Sequence, residues 1–482
     1  MNRDSRFHTG VLVTATALTV ASVALLPRTP SLGDETTGDA ELAATVRDIA
    51  GDAPEHSLSV ALIKDGDVRF AGVGHTGGDD PVPVDETTPY EIGSIGKAMT
   101  GMLLADSGLD PDTPVGELLP DVRFDDPDVA SASLAELSSH RAGLPSVRMT
   151  PLSWATSVAH RITGVDPYLG NDRESVVTDA AATHASGAGA VHYSNLSAAL
   201  LGIALAENAG TSYDDLLAKR ITGPLGMADT VVASTDADLP PGHAKPYRAN
   251  GWPVAPWLER GSAGAGGGQW STAADLAVLV QAMLDGTAPG ADAAAPRFDA
   301  GDGDRVGYGW WTDRVGGREI TWHNGGTGGF RSFVGFDAAA GDGVVVLSNT
   351  DRSVDWIGRE LLGLDPEPAG PDVLMLLVTL FLIGFTPVTM ILNRRPDRIG
   401  LIRDVTTGVF VLVAALSFGT WDVVPPVVWL LGVAALGVAT VRTARWWPEL
   451  PWRLTGRRWT RVTGAAVPGV LLVTLLAALA LT

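Results

Sequence analysis

The chain of 482 residues contains no cysteine and only four lysines. Without cysteine it can hold no disulfide scaffold, no thiolate zinc site and no cysteine nucleophile. Lysine and arginine number 34 against 55 aspartates and glutamates, so the net charge is −21 and a nucleic-acid partner, which needs a positive surface, is disfavoured. The nine histidines show no His-Glu-x-x-His or comparable metal-binding spacing. We therefore expect chemistry that uses no thiol, no metal and no cofactor.

Uncharged apolar runs lie at both ends of the chain. Residues 10–26 form one run behind Arg3 and Arg6, a pattern typical of a signal peptide or signal anchor, which we place at 1–27. Four runs in the tail come near the ~20 residues that cross a bilayer core. They cover 373–392, 405–421, 423–441 and 462–481. The sequence therefore predicts a bundle of about four transmembrane helices over 366–482.

Arginines between these runs orient the tail. Four arginines separate the first and second runs, and six separate the third and fourth. The positive-inside rule places both loops in the cytoplasm, so the acidic body before Asp372 lies on the extracytoplasmic side. The N-terminal signal would send the body to the same side. We predict a multi-pass protein of the cell membrane, whose tail anchors the body and could bind a membrane protein partner.

Strand patterns stand at both ends of the body. A helical pattern at 40–49 precedes two strands around an Asp65-Gly66 turn. Four short strand patterns, the first at 308–312, and a final helix lie near the other end. The middle, at about 94–283, is mainly helical, and 285–304 is predicted as a low-complexity surface loop. We predict an α+β fold with an antiparallel sheet from both chain ends, flanked by helices with an inserted helical region.

The sharpest local feature is the run Glu-Ile-Gly-Ser-Ile-Gly-Lys at 91–97, which leads into an apolar helix. Ser94 and Lys97 are three residues apart, so on a helix their side chains share one face. The helix dipole favours a developing alkoxide at the helix start, and a lysine in a dry pocket can activate the serine. The alternative is a serine that only caps the helix, beside a solvated lysine.

A second candidate segment reads Val-His-Tyr-Ser-Asn at 191–195. In extended geometry Tyr193 and Asn195 point to the same side. A phenol near a lysine can shuttle a proton, and a carboxamide can bind a substrate amide. The alternative is a buried tyrosine followed by an asparagine that caps the next helix.

A third segment, at 321–330, has His323 followed by an asparagine and the glycines Gly325 and Gly326. Glycines at the end of a strand let a substrate backbone lie close, and they can offer a backbone N–H to an oxyanion. The alternative is a simple hairpin turn.

Taken in this order, the three segments resemble the serine penicillin-recognising superfamily, which comprises class C β-lactamases, D-Ala-D-Ala carboxypeptidases, D-aminopeptidases and related esterases. The resemblance spans roughly 40–362. Further matching stretches lie at 137–145, 266–276, 307–310 and 345–349. It implies a β-lactamase/transpeptidase-like hydrolase domain at 40–365, after a linker at 28–39.

The resemblance also implies a role for each residue of the site. Ser94 would be the acylated nucleophile, and Lys97 and Tyr193 would together transfer the proton. The reaction would then pass through a covalent acyl-enzyme without a metal.

Substrate binding is implied for four more residues. Asn195 would hold the substrate amide, and Gly325 and Gly326 would line the substrate, with the N–H groups of Ser94 and Gly326 forming the oxyanion hole. His323 would bind or protonate at the far side of the cleft. Similar β-lactamases usually have lysine at the position of His323, whereas the peptidase and esterase branches often have histidine. Efficient β-lactam hydrolysis is therefore not expected.

Two functions remain open on this basis. The first is an exported, membrane-tethered serine hydrolase that acts through a Ser94 acyl-enzyme on a peptide, amide or ester, with cell-wall D-Ala peptides and β-lactams as candidate substrates. The alternative is a non-catalytic sensor or assembly protein that binds a peptide or β-lactam and is coupled to its membrane bundle. The intact set of Ser94, Lys97 and Tyr193 favours the enzyme, whereas a tail of about four helices is more than an anchor needs.

Overall fold

The computed structural model describes residues 16, 19–20, 22–26, 30–51, 53, 55–168, 172–258, 261–365, 373–392 and 397–452. The predicted signal at 1–27 lies largely outside these residues, and the predicted span at 462–481 lies wholly outside them.

The strands of the body pair in antiparallel fashion. They are β1 (Thr36–Gly38), β2 (Ser57–Lys64), β3 (Asp67–Gly74), β4 (Tyr90–Glu91), β5 (Val231–Val232), β6 (Gln269–Ser271), β7 (Phe298–Gly301), β8 (Asp304–Val306), β9 (Trp311–Val315), β10 (Arg318–Gly326), β11 (Arg331–Asp337) and β12 (Asp342–Ser348). Within the described residues, nine strands form one sheet in the order β1-β3-β2-β12-β11-β10-β9-β8-β7, and β4, β6 and β5 form a smaller one. Strands β2 and β3 from the start of the body thus lie beside β12 from its end, as predicted.

Helices occupy the middle of the body and the tail. They are α1 (Ala40–Ala50), α2 (Ile95–Asp106), α3 (Val115–Leu118), α4 (Pro127–Ser131), α5 (Leu134–Ser138), α6 (Pro151–Thr163), α7 (Arg173–Ala181), α8 (Asn195–Ala209), α9 (Tyr213–Leu217), α10 (Gly223–Leu225), α11 (Ala273–Leu284), α12 (Asp355–Leu361), α13 (Val373–Leu392), α14 (Arg398–Phe418) and α15 (Val427–Ala444). In the chain, helices α2 to α11 lie between β3 and β7, that is, between the two groups of strands that form the large sheet. This confirms the predicted α+β arrangement.

Both faces of the large sheet are covered, which explains why its central strands are apolar throughout. Successive strand residues point to opposite faces. In β2, Val60 packs in a core with α1 and α12, whereas Ala61 packs in the core beneath the helical insertion. In β12, Val344 and Val345 divide in the same way. Each buried valine-sized side chain contributes roughly 1.5–3 kcal/mol, so these strands form a rigid base for the elements above them.

Two predictions near the end of the body were wrong. Residues 285–304 are not a loop throughout, because β7 and the start of β8 lie there and pair at one edge of the large sheet. The Asp302-Gly303 pair has positive φ at both residues and turns the chain between these strands. The strand predicted at 308–312 begins at Trp311 as β9. Glycine and aspartate at 299–304 conceal the alternating pattern that marks a strand.

In the described part of the tail, three helices are long and apolar enough to cross a membrane. Helix α13 has the predicted bounds, and α14 begins at Arg398 rather than at 405 because Asp397 caps it, accepting from the N–H of Gly400 at 2.8 Å. Helix α15 begins at Val427, after two prolines. The three helices share an apolar core that includes Leu412 and Trp429. The predicted number of four is not confirmed, since the last span lies outside the described residues.

Candidate active site

A tight turn presents Ser94 at the start of α2. Gly93 has a φ of +52°, and a Cβ atom there would lie 2.7 Å from the backbone nitrogen of Gly326. Only glycine therefore allows the segments of Ser94 and Gly326 to touch. Ser94 occupies the N-cap position, but within the described chain its side chain makes no capping bond. The simple helix-cap alternative is therefore wrong.

The Oγ atom of Ser94 accepts hydrogen bonds from two proton carriers. Lys97 Nζ donates at 2.8 Å, and the hydroxyl of Tyr193 donates at 2.7 Å. Lys97 is 2% exposed, also donates to the carbonyl oxygen of Ala265 at 2.7 Å, and lies 5.0 Å from the ring centre of Tyr193. The lysine is therefore not solvated. A hydroxyl held between two such groups is the arrangement that nucleophilic acyl transfer requires.

The turn at Ala263–Ala265 positions Lys97, a contribution that sequence reasoning missed. The buried side chain of Gln269 donates from Nε2 to the carbonyl oxygen of Ala263 at 2.6 Å. This bond holds the turn against the start of the next strand, so that the carbonyl of Ala265 faces Lys97. The sequence signal was the matching stretch at 266–276, which contains Gln269 but not its partner.

Tyr193 is held by a loop around His140. The carbonyl of His140 accepts from the N–H of His192 at 2.8 Å, and its Nδ1 accepts from the N–H of Ser194 at 3.3 Å. The rings of His140 and Tyr193 have centres 4.6 Å apart. Tyr193 itself is 41% exposed, so the buried-tyrosine alternative is wrong. His140 thus orients the segment that carries the phenol.

Asn195 faces the cleft because its neighbour caps the helix. Ser194 Oγ accepts from the N–H of Ser197 at 2.9 Å and so caps α8. The capping alternative for Asn195 is therefore wrong. Asn195 Nδ2 instead donates to Ser146 Oγ at 3.1 Å, and both residues line the same cavity as Ser94. Ser146 had no motif of its own and was missed in the sequence.

The end of β10 forms the opposite wall of the cleft. Gly326 and Thr327 line the cavity together with Ser94. A Cβ atom at Gly325 would collide with the carbonyl oxygen of Ile92, so Gly325 is the point where β10 packs on the turn before α2. The chain then turns at 327–330 into β11, so the predicted alternative of a hairpin turn is confirmed. The same turn nevertheless lines the cleft.

His323 lies behind this wall. Its side chain is 1% exposed, and its Nδ1 lies 2.6 Å from the carbonyl oxygen of Asn324, so Nδ1 carries the proton. Burial, with a smaller contribution from the charge of Lys97, lowers the pKa of His323 to about 3. The same causes lower the pKa of His140 to about 3. Both rings are neutral near pH 7, so the predicted protonating role of His323 does not fit its environment.

Buried carboxyl groups brace the cleft wall, which the sequence did not indicate. Glu91 is 2% exposed, burial raises its pKa to about 8, and its Oε1 accepts from the N–H of Trp257 at 2.6 Å. Asp166 accepts from the N–H of Leu258 at 2.9 Å, and burial raises its pKa also. Trp257 lines the cavity with Ser94. The two carboxyl groups therefore fix the loop that closes this side of the cleft.

The chain is similar to a known protein family, to a known sequence and to solved structures. The family model Beta-lactamase matches residues 42–364. A D-aminopeptidase of Gluconobacter oxydans (strain 621H) is 26% identical over 341 residues, which cover 67% of this chain and 61% of that protein. A class C beta lactamase from Rhodobacter sphaeroides superposes with a TM-score of 0.56 at 22% identity, covering 67% of this chain and 98% of that one. A beta-lactamase/D-alanine carboxypeptidase from Pseudomonas syringae superposes with a TM-score of 0.57 at 20% identity, covering 67% and 99%.

These likenesses concern the body of the chain. The family match ends at residue 364, before α13 begins at Val373. The chain spans 61% of the D-aminopeptidase that it matches. The structural likenesses, both under 25% identity, concern the fold.

Proposed function

Since the chain belongs to the beta-lactamase family of the serine penicillin-recognising superfamily, we propose that it is a membrane-tethered serine hydrolase of the peptidase or esterase type. One observation carries the proposal: the Oγ of Ser94 accepts hydrogen bonds from both Lys97, at 2.8 Å, and Tyr193, at 2.7 Å. The neutral His323 supports a peptidase or esterase over an efficient β-lactamase, because similar β-lactamases usually place a lysine there. The D-aminopeptidase relative supports the same branch.

In the proposed reaction, the Oγ of Ser94 attacks the carbonyl carbon of a peptide, amide or ester. Its proton passes to the pair of Lys97 and Tyr193, and the N–H groups of Ser94 and Gly326 stabilise the oxyanion. The C–N or C–O bond then breaks, and the leaving group takes up the proton. A water molecule hydrolyses the acyl ester of Ser94 by the same path, which restores the hydroxyl. Asn195 would hold the amide next to the scissile bond.

The proposal extends to the placement of the protein. The hydrolase domain at 40–365 would lie outside the cell, joined by the linker at 28–39 to the N-terminal signal and held by the tail at 366–482. The arginines of the tail loops and the apolar lengths of α13, α14 and α15 support this orientation.

Hydrolysis of three substrate classes tests the proposal. Full-length protein in detergent is given a peptide that ends in D-Ala-D-Ala, a p-nitrophenyl ester and a chromogenic β-lactam. We expect turnover of the peptide or the ester that disappears in Ser94→Ala and persists in Ser131→Ala, a matched change at a surface serine. Turnover that survives Ser94→Ala, or none with any substrate, would contradict the proposal.

A second candidate function is a sensor whose ligand-binding cleft is coupled to the membrane bundle. One observation favours it: the side chain of Asn250 donates to the carbonyl oxygens of Ser417 and Gly419, at 3.0 and 2.8 Å, at the end of α14. These bonds join the body directly to the tail, a connection that a sensor would need. The Ser94→Ala variant separates the two functions in cells, because a non-catalytic sensor would keep its phenotype.

A further inference from the structure

A buried arginine ties helix α6 of the body to the end of membrane helix α14. Arg248 is 7% exposed and donates from Nη1 to the carbonyl oxygens of Arg161 at 2.7 Å and Ser417 at 2.5 Å. Its Nη2 donates to the carbonyl oxygen of His160 at 2.5 Å. His160 and Arg161 belong to the last turn of α6, and Ser417 to the last turn of α14. Since a helix of this length spans the bilayer core, its end lies at a membrane surface, and the end of α6 lies there with it.

Helix α6 exposes its apolar side chains instead of burying them. Leu152 and Trp154 are 74% and 60% exposed, Val158 is also exposed, and Met149 is exposed just before the helix. On a helical wheel Trp154 and Val158 lie on one side, away from Ser153 and Thr156, whereas Leu152 lies at the edge next to Thr156. A helix that shows its apolar face and stands at a membrane surface has the character of an interfacial helix.

The polar face of α6 lines a large cavity, which we call the membrane-side cavity. It has a volume of about 820 Å³ and is bounded by Leu152, Ser153, Thr156, Ser157 and His160 of α6, by Met375, Gly419, Thr420 and Asp422 of the tail, and by Gly326 and Thr327 of the cleft. Gly326 and Thr327 also line the cavity that contains Ser94. The membrane-side cavity therefore joins the catalytic cleft to the outer ends of the membrane helices.

We propose that this cavity admits a lipid substrate directly from the outer leaflet. The scissile acyl, ester or amide group would reach Ser94, while the apolar chains stay in the bilayer beside the exposed face of α6. Three arginines and three aspartates stand among the described residues that line the cavity, which suits a head group of little net charge. The inference rests on the proposed serine hydrolase activity and names its substrate class: a membrane-anchored amphiphile.

Two covalent probes that share one reactive group test the inference. A water-soluble fluorophosphonate and a phosphatidylcholine-like lipid carrying the same fluorophosphonate are offered to the full-length protein in phosphatidylcholine nanodiscs. In both, Ser94 Oγ forms the bond to phosphorus as fluoride leaves. Any difference between the two rates therefore reflects the route by which the fluorophosphonate reaches Ser94. The double variant Trp154→Asp/Val158→Asp removes the apolar face, and Val278→Asp makes the same kind of change at an exposed valine of α11, which packs on the sheet.

We expect the double variant to react at least about tenfold more slowly with the lipid probe, since burial of one leucine-sized side chain corresponds to about this factor. Its rate with the soluble probe and both rates of Val278→Asp should stay unchanged. Equal lipid-probe rates in the wild type and the double variant would overturn the inference but leave the proposed function standing. Failure of both probes to label Ser94 in the wild type would overturn both.

A second variant covers the case in which the double variant does not fold. Thr156→Trp places a bulky side chain in the membrane-side cavity without altering the exposed face of α6. It should slow the lipid probe and spare the soluble probe. If it slows neither, the lipid route is wrong.

Discussion

The candidate catalytic cleft and the joint between body and tail are held together in different ways. In the cleft, Ser94 and Lys97 lie one helical turn apart and bond directly. At the joint, defined by Arg248, Asn250 and the ends of α6 and α14, one guanidinium links carbonyls 87 and 169 residues away in the chain. The proposed chemistry therefore depends on short-range spacing, whereas the proposed placement of the body at a membrane depends on long-range contacts. Changes in one region should therefore leave the other intact.

The largest effect is expected from Lys97→Ala. The variant removes a donor to the Ser94 hydroxyl, so turnover should fall about 10³-fold or more, in the range for a lost acid or base. Initial rates with an ester substrate measure the loss. Lys219→Ala is the matched control at an exposed lysine, and equal losses in both variants would show that Lys97 has no special role.

Next in size is the effect of Tyr193→Phe, which deletes the 2.7 Å hydrogen bond to Ser94. We expect kcat to fall about 10²-fold with thermal stability unchanged, because the phenol carries a proton rather than supporting the core. Tyr90→Phe is the contrasting change. Its buried hydroxyl bonds to Ser57 and Ser59, so its loss should cost about 1 kcal/mol of folding free energy and spare kcat. The opposite pattern would contradict the assignment.

A structural effect without a catalytic one is expected from Arg248→Met. Loss of its charged hydrogen bonds to the ends of α6 and α14 should lower the free energy of unfolding by about 2 kcal/mol. Hydrolysis of a small soluble ester should change less than about twofold, since the residues around Ser94 are untouched. Arg352→Met, which removes a half-exposed ion pair to Asp422 at 3.7 Å, should cost at most about 1 kcal/mol. A collapse of ester turnover in Arg248→Met would show that the regions are not separate.

The smallest effect is expected in the dependence of the free energy of unfolding on pH. The pKa of Glu91 is about 8 in the folded protein against 4.5 as the ordinary value, so across this range the unfolded chain releases a proton that the folded one keeps. Stability must therefore fall as pH rises towards 8, by at most about 1.4 kcal/mol per pH unit for this group. Buried Glu55, whose pKa is raised to about 8, adds a slope of the same sign. Chemical unfolding at pH 7 and pH 8 should show a shallower fall in Glu91→Gln, and an unchanged slope would contradict a neutral Glu91.

Local patterns in the sequence were enough to predict which side chains of the candidate site meet and how the main sheet is built. Short motifs contain the Ser94 and Lys97 pair, the Tyr193 segment and the glycines after His323. The structure brings the side chains of Ser94, Lys97 and Tyr193 into contact. The central strands were readable because both faces of the sheet are buried, which makes them apolar throughout.

The features that were missed arise from contacts between distant segments. Glu91 stands in the most conspicuous motif of the chain, yet its partner is the backbone of Trp257, which no spacing reveals. Arg248 resembles any surface arginine until the ends of α6 and α14 meet around it. The strand pair β7 and β8 was hidden because glycine and aspartate replace the usual alternating side chains. Such residues gain their role only from the tertiary fold.

In the proposed reaction Ser94 becomes covalently acylated, while Lys97 and Tyr193 transfer the proton. Intact-protein mass spectrometry after treatment with a soluble fluorophosphonate, followed by peptide mapping, tests it most directly. We predict one adduct on Ser94 in the wild type, none in Ser94→Ala, and slower formation in Lys97→Ala and Tyr193→Phe. An adduct on another residue, or equal labelling of Ser94→Ala, would contradict it.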